Sequence, residues 1–304
     1  MRIFAAADLH VSEESRPRLE QMGKAARDSD ADVLVIAGDL ISGPVSQHAE
    51  ILKVFAGFQR PKLFVAGNHD LWQGNAHRDT WSRYERELSQ AVAEAGFHYL
   101  DDGPFVHERW GFVGCMGWYD YSLRQEAVPD SDLRFSPATV SSPSSAFRLN
   151  PERHDLIWEE LTPEDYATKA MQCVEENIAQ GLVWNDGFYV DWGRSDEEMV
   201  DYFCEKLRHQ GEEIAGKCDQ LVAVTHFIPF TEVLPPATTM VRIAYARAFG
   251  GSERLGKTIR RLPNVRAALF GHWHHQQQWD LDGMLVANCS VNHAQDPPLV
   301  LEID

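Results

Sequence analysis

The sequence predicts an α/β fold, and three observations support this prediction. Five short apolar runs recur along the chain, and each ends abruptly in Gly, Asp, Asn or His. Such runs are typical of strands that are buried on both faces. The first three polar ends are separated by 31 residues from Asp8 to Asp39 and by 29 residues from Asp39 to Asn68, which matches a βαβ unit. Stretches with helical apolar spacing lie between the runs.

The elements follow one another in a regular order. The first three strands are predicted at Ile3 to Ala7, Asp32 to Ala37 and Lys62 to Ala66. Crossover helices are predicted over residues 13–28, 46–58 and 78–95, because their apolar residues recur three or four positions apart. Two further strands are predicted at Leu221 to Thr225 and Val265 to Phe270, and a closing strand pair at Met284 to Ala287 and Leu299 to Ile303.

Residues 119–219 interrupt this alternation. They include 22 acidic and 9 basic residues, a balance of −13 within a chain total of −18. A Ser/Pro-rich stretch from Pro129 to Pro151 predicts a long loop, and Thr162-Pro163 and Ser195 mark two helix starts. We interpret residues 119–219 as an acidic loop-and-helix insertion, or cap, within a single domain that spans residues 1–304.

The composition excludes several classes of protein. A hydrophobic fraction of 44% is too high for a disordered chain, and no apolar run is long enough to predict a membrane span. The net charge of −18 opposes binding to long nucleic acids, which proteins bind mainly through Lys and Arg. The five cysteines form no CxxC pair, and the N-terminus lacks a signal-peptide pattern, so we expect reduced thiols and a cytoplasmic protein. The sequence indicates no protein partner.

The first five predicted strands all deliver polar side chains at their C-terminal ends, where open α/β sheets bind ligands. Asp8 and His10 are two positions apart and can face the same side of an extended backbone, as can His272 and His274. The full set of candidate metal ligands is Asp8, His10, Asp39, Asn68, His226, His272 and His274. Seven ligands are too many for one ion and suit two ions that share a carboxylate, for which Asp39 is the central member.

The ligand types indicate which metals and which reaction to expect. Mixed nitrogen and oxygen ligands without thiolate favour Mn, Fe, Zn or Co over Ca or Mg. Two divalent cations roughly 3.5 to 4 Å apart can bind the attacking and leaving oxygens of an in-line phosphoryl displacement. A water bound to both ions has a pKa lowered towards neutrality and becomes the nucleophile. The residues therefore predict a metal-dependent phosphoesterase.

Five motifs occur in a fixed order: Asp8-Leu9-His10, Gly38-Asp39, Gly67-Asn68-His69-Asp70, Thr225-His226 and Gly271-His272-Trp273-His274. In this order they resemble the signature of the calcineurin-like metallophosphoesterase superfamily, over roughly residues 1–118 and 221–304. The resemblance implies a four-layered α/β/β/α sandwich of two mixed β-sheets, here with a partly helical insertion, and metals at the sheet edges.

The resemblance also implies roles for individual residues. Asp8, His10, Asp39 and His274 would hold the first metal, and Asp39, Asn68, His226 and His272 the second. His69 would be catalytic, because it lies where it can stabilise the transition state or protonate the leaving oxygen, and Asp70 would orient it.

These observations predict hydrolysis of a small phosphodiester or phosphomonoester by a metal-bridging hydroxide, with a phosphodiesterase slightly favoured and Mn the favoured metal. The alternatives are a nuclease of the same superfamily and a non-catalytic metal-binding scaffold. Leu40 after Gly38-Asp39 and Asp70 at the end of the third motif disfavour a Ser/Thr protein phosphatase. The rings of Trp118, Tyr119 and Tyr121 are expected to pack beneath the insertion, His275 to face solvent, and His293 to lie either near the substrate or on the surface.

Overall fold

Two β-sheets form the centre of the molecule in a computed structural model that describes residues 1–72, 79–128, 133–142, 145–175 and 178–304. The first sheet has the strand order β15-β1-β2-β3-β4. Its strands are β1 (Arg2–Ala6), β2 (Val33–Ala37), β3 (Lys62–Val65), β4 (His98–Tyr99) and β15 (Leu299–Glu302). The second sheet has the order β13-β14-β12-β11-β6-β5. Its strands are β5 (Phe105–His107), β6 (Trp110–Cys115), β11 (Gln220–Thr225), β12 (Val265–Phe270), β13 (Gln277–Leu281) and β14 (Met284–Asn288).

Alternating residues along the strands create two separate cores. Ile3 and Val35 of the first sheet and Val224 of the second belong to one buried cluster between the sheets. Their neighbours Phe4 and Ile36 belong to a larger cluster that includes the helices. Because successive side chains of a strand point to opposite faces, this division places helices outside both sheets. The four-layered α/β/β/α sandwich is therefore confirmed.

The predicted crossover helices are present at the expected places. The first half of the chain contains α1 (Arg16–Asp28), α2 (Val45–Leu52) with a 3₁₀ turn at Lys53–Gly57, α3 (Asn68–Leu71), α4 (Thr80–Ser82), a π-helical turn at Arg83–Glu87 and α5 (Leu88–Glu94). Residue 78, the predicted start of the third helix, lies outside the described residues. The later helices are α6 (Pro163–Ala167), α7 (Asp186–Tyr189), α8 (Asp196–Glu213), α9 (Val241–Arg247) and α10 (Glu253–Ile259), with 3₁₀ turns at Trp158–Glu160 and Thr231–Val233.

The insertion contains a sheet that the sequence did not predict. Strands β7 (Arg134–Thr139), β8 (Arg148–Leu149), β9 (Ala170–Glu175) and β10 (Ile178–Val183) form a four-stranded antiparallel sheet. The prediction of an unbroken loop from Pro129 to Pro151 is therefore wrong over the described part of that stretch. Pro137 and the many serines obscure the strand pattern, and pairing with β9 stabilises β7. The two predicted helix starts are confirmed, since α6 and α8 begin directly after Thr162 and Ser195.

The prediction of a closing strand pair is also wrong. β14 pairs with β12 and β13, whereas β15 crosses to the other sheet and pairs antiparallel with β1. The true hairpin partner of β14 is β13, and Asp282 and Gly283 connect them with positive φ angles of 56° and 83°, as a tight hairpin turn requires. Among the described residues, no helix combines the length and the apolar character needed to cross a membrane.

Candidate metal centre

The seven predicted ligands lie together at the carboxyl ends of the central strands. Asp8 and His10 follow β1, Asp39 follows β2, Asn68 follows β3, His226 follows β11, and His272 and His274 follow β12. Four of them have left-handed backbone conformations, with φ values of 55° at Asp8, 39° at His10, 55° at Asp39 and 68° at His272. Such strain is retained mainly at functional sites.

One group of ligands lies next to the Asp39 carboxylate. His10 Nε2 lies 3.5 Å from Asp39 Oδ2 and 3.1 Å from His274 Nε2. His274 Nε2 in turn lies 3.6 Å from Asp8 Oδ1. Asp8 is completely buried and accepts the backbone N–H of His272 at 3.0 Å. These four side chains are the set that the resemblance implies for the first metal.

A second group converges on the same oxygen of this carboxylate, Asp39 Oδ2. His226 Nε2 lies 3.3 Å from Asp39 Oδ2, 3.2 Å from Asn68 Oδ1 and 3.2 Å from His272 Nδ1. Asp39, Asn68 and His226 are almost fully buried. These four side chains are the set that the resemblance implies for the second metal, and Asp39 is the member that both groups share.

The hydrogen bonds of the second group show that it suits a cation. His226 Nδ1 contacts the carbonyl oxygen of Ala37 at 2.9 Å, and His272 Nε2 contacts that of Phe249 at 3.1 Å. Because a carbonyl can only accept, those nitrogens carry protons, and the opposite nitrogens can present lone pairs to a cation once His226 has given up its second proton. Two imidazole lone pairs, an amide oxygen and a carboxylate oxygen then meet at one point. A divalent transition metal satisfies all four.

The pKa values of the metal-free protein report the same need for positive charge. Burial disfavours the charged form of His226, but the Asp39 carboxylate outweighs burial and raises the pKa of His226 to about 9. Burial lowers the pKa of His10 to about 3 and that of His274 to about 4. Without a metal, the proton on His226 Nε2 lies near three acceptors, which are Asp39 Oδ2, Asn68 Oδ1 and His272 Nδ1. His10 and His274 are neutral and can bind a cation without losing a proton.

His69 lies beside this centre without joining its hydrogen bonds through its ring. The backbone N–H of His69 donates to Asp39 Oδ1 at 2.8 Å, and its ring Nδ1 lies 2.8 Å from the hydroxyl of Ser42. The ring stacks on Trp72 with a centroid distance of 3.7 Å and meets the His10 ring edge-on at 4.5 Å. The imidazole is thus held next to the predicted ligands His10 and Asp39.

Asp70 has a different role from the predicted one. Its buried carboxylate accepts backbone N–H groups from Asp39 at 2.9 Å, Leu40 at 2.9 Å and Gly67 at 2.8 Å, and contacts His48 Nε2 at 3.0 Å. The partner of the His69 ring is Ser42 instead. Asp70 therefore organises the loop that carries Asp39, and the prediction that it orients the His69 ring is wrong.

Several residues near the centre were not predicted or were left open. Asp186 of the insertion accepts a hydrogen bond from Asn68 Nδ2 at 2.9 Å. His293 stacks on His10 with a centroid distance of 4.6 Å and lies 5.0 Å from the His274 ring, so it lies at the centre. Ser42 and Trp72 lie within four residues of predicted site residues, which is the only sequence signal for them. As expected, Trp118, Tyr119 and Tyr121 are buried and His275 is exposed.

Two ligand groups that share one carboxylate at the edge of a two-sheet sandwich define a dinuclear metallohydrolase. The particular family follows from a comparison with protein families. The model of the calcineurin-like phosphoesterases matches residues 1–276, and the chain belongs to that family. It is accordingly a metallophosphoesterase, a hydrolase of phosphoester bonds in a dimetal-dependent family. No sequence of curated function matches the chain significantly.

Several solved structures are similar to this chain at low sequence identity, and the first of those described here shows the same fold. The phosphopantetheinyl hydrolase of Mycobacterium tuberculosis is 17% identical with a TM-score of 0.60, and the match covers 97% of this chain and 90% of that one. A Thermus thermophilus protein, TT1561, is 13% identical with a TM-score of 0.49 over 96% and 90% of the two chains. A dimetal phosphatase from Danio rerio is 12% identical with a TM-score of 0.48 over 98% and 89%.

Proposed function

We propose that this protein hydrolyses small phosphodiesters or phosphomonoesters, with a preference for diesters, and that it uses two divalent transition metals, Mn being favoured. The observation that carries the proposal is the convergence of two ligand groups on Asp39, with the His69 imidazole beside them. When bound, the two ions would supply positive charge that stabilises both the attacking and the leaving oxygen of an in-line displacement.

The residues of the chain have separate tasks in this proposal. Asp39 belongs to both metal positions and also accepts the backbone N–H of His69 at 2.8 Å, so it sets the distance between the ligands and the imidazole. His69 holds a proton on Nε2 for the leaving oxygen, while Ser42 keeps the ring in place through Nδ1. The stacked ring of Trp72 covers one face of the imidazole and limits its rotation.

The charge of the molecule supports a small substrate. The insertion carries most of the net charge of −18, and its residue Asp186 contacts the predicted ligand Asn68. A long polyanion would have to approach this acidic segment, whereas a small phosphoester meets mainly the two cations. The proposal therefore disfavours the nuclease alternative, and it places the protein in the cytoplasm, as the sequence predicts.

The test compares wild-type protein with Asp39→Asn after loading with Mn. Wild type should hydrolyse bis-p-nitrophenyl phosphate faster than p-nitrophenyl phosphate, and the variant should lose both metal and activity. Rates on a cyclic nucleotide, a linear dinucleotide and a phosphomonoester then define the class of ester. Wild-type protein that holds two equivalents of metal and cleaves none of these esters would contradict the proposal and favour the scaffold alternative.

A further inference from the structure

The side chain of Asn68 has an oxygen that can bind a cation and an NH₂ group that cannot. Rotating the amide by 180° exchanges the two groups with little change in shape, so the side chain needs a partner that selects one orientation. Its Oδ1 lies 3.2 Å from His226 Nε2, on the side of the second ligand group. The partner of Nδ2 therefore decides whether Asn68 is a ligand.

That partner is Asp186, which lies 118 residues further along the chain. Asn68 Nδ2 donates to Asp186 Oδ1 at 2.9 Å, and the Asp186 side chain is completely buried. An ionised carboxylate only accepts hydrogen bonds. In the flipped orientation, the amide oxygen would face a carboxylate oxygen in a buried place, where unpaired acceptors are costly. Asp186 thus keeps the amide oxygen directed at the ligand group.

Two indole groups hold Asp186 itself in place. Trp72 Nε1 donates to Oδ1 at 2.8 Å, and Trp184 Nε1 donates to Oδ2 at 2.7 Å. Burial raises the pKa of Asp186. Because an indole N–H can only donate, these bonds oppose that effect by favouring the ionised carboxylate, and they determine its orientation. Trp72 directly follows α3, the helix that Asn68 begins, whereas Trp184 belongs to the insertion. The carboxylate therefore connects the insertion to the helix that carries a predicted ligand.

We propose that Asp186 is a positioning residue for Asn68, and that through this contact the insertion sets the affinity of the second metal position. The inference rests on the dinuclear centre of the proposed function, and on no particular substrate. Outer partners of metal ligands typically contribute about 10- to 100-fold to metal affinity. Loss of the Asp186 carboxylate should weaken one of the two metal positions by that factor and leave the other unchanged.

The experiment measures Mn binding to chelator-treated, full-length protein by calorimetry. Asp186→Asn keeps the size of the side chain and removes one acceptor. The matched control is Asp196→Asn, because Asp196 is another buried carboxylate of the insertion and also accepts an indole N–H, from Trp118 at 2.7 Å. Its partners Trp118, Tyr121 and Lys169 include none of the seven predicted ligands. Thermal melting shows how far each variant is destabilised.

We expect Asp186→Asn to bind one Mn equivalent about 10- to 100-fold more weakly, and Asp196→Asn to bind both as wild type does. In an Asn68→Ala background, Asp186→Asn should cause no further loss, because its effect passes through the missing amide. If Asp186→Asn does not fold, Trp184→Phe removes one donor to the carboxylate and should weaken the same equivalent.

The inference would be overturned if folded Asp186→Asn bound both Mn equivalents with unchanged affinity. Where Asp186→Asn does not fold, unchanged Mn affinity in Trp184→Phe would overturn it. An additive loss of Mn affinity when Asp186→Asn is combined with Asn68→Ala would also overturn it. Either result would leave the proposed function intact if wild type binds two ions and cleaves phosphoesters. Conversely, wild type that binds two ions without cleaving any ester would contradict the proposed function, and the metal affinities of the variants would still decide the role of Asp186.

Discussion

Gly67 stands directly before Asn68 and leaves room for the Asp39 carboxylate. A Cβ at this position would lie 2.5 Å from the backbone nitrogen of Asp39 and 2.8 Å from its Cγ, and closer still to Oδ1. The backbone of Gly67, with φ −112° and ψ 174°, is open to alanine. Gly67→Ala therefore tests the space around Asp39 without imposing backbone strain at the substituted residue.

The size of the effect follows from these distances. Non-bonded atoms prefer separations of about 3.5 Å or more, so the alanine methyl overlaps Asp39 by about 1 Å. Asp39 cannot retreat freely, because its N–H is bonded to Asp70 at 2.9 Å. We expect the shared carboxylate to move by about 1 Å, and displacements of that size can cost about 100-fold in rate. Both Mn equivalents should weaken together, and stability should fall by about 1–3 kcal/mol.

The assay combines calorimetric Mn titration, urea unfolding and the kcat/KM for bis-p-nitrophenyl phosphate. Gly103→Ala is the control, because a Cβ there has no atom within 4 Å, and it should behave as wild type. If Gly67→Ala binds two Mn ions with unchanged affinity and retains full kcat/KM, then Asp39 is not the shared ligand or its position is not critical.

Three further predictions concern other parts of the centre. His69→Ala should keep both metals and lower kcat by about 10²- to 10⁴-fold. The loss should be largest for alkyl esters, because their leaving oxygen needs a proton. An equal loss on p-nitrophenyl esters would contradict the role of His69 as an acid. The buried Arg83 donates to the carbonyl oxygens of Asp70 and Gly43 at 2.6 and 2.5 Å. In Arg83→Met each carbonyl oxygen loses its donor at a cost of about 1–3 kcal/mol, so the free energy of unfolding in urea should fall by about 2–6 kcal/mol. Because the pKa of His226 is about 9 in the metal-free protein, Mn binding at pH 7 must displace its proton, and the affinity for Mn should rise with pH up to about 9. Calorimetry in buffers of different ionisation enthalpy should show about one proton released from this group. If no proton is released, His226 is not a metal ligand.

The alternation of strands and helices made the fold and the ligand positions predictable from the sequence. Each ligand lies within a few residues of the end of a buried apolar strand, and parallel strands that share a sheet bring their carboxyl ends to one edge. Local pattern was therefore sufficient to group Asp8 with Asp39 at the edge of the first sheet and His226 with His272 at the edge of the second. The packing of the two sheets against each other then brings the two groups together.

Features that depend on distant partners were not predictable in this way. β7 contains Pro137, and it is a strand because β9 pairs with it. β15 follows β14 in sequence but pairs with β1, since the chain changes sheets between them. The bond from Asn68 to Asp186 joins the core to the insertion across 118 residues. Neither composition nor periodicity reports such pairings, because each is decided by which surfaces meet in the folded chain.

At His10 and His272, which have left-handed backbone conformations, the residue needed for metal binding differs from the residue that would make the protein most stable. Non-glycine residues cost about 1–2 kcal/mol in this conformation, and burial of both imidazoles adds to the disadvantage. A library selected only for heat resistance without metal should therefore drift towards glycine there, and its most durable members should be inactive. Thermostable variants of this protein are better sought with metal present throughout the selection, because bound metal makes the strained ligands contribute to stability.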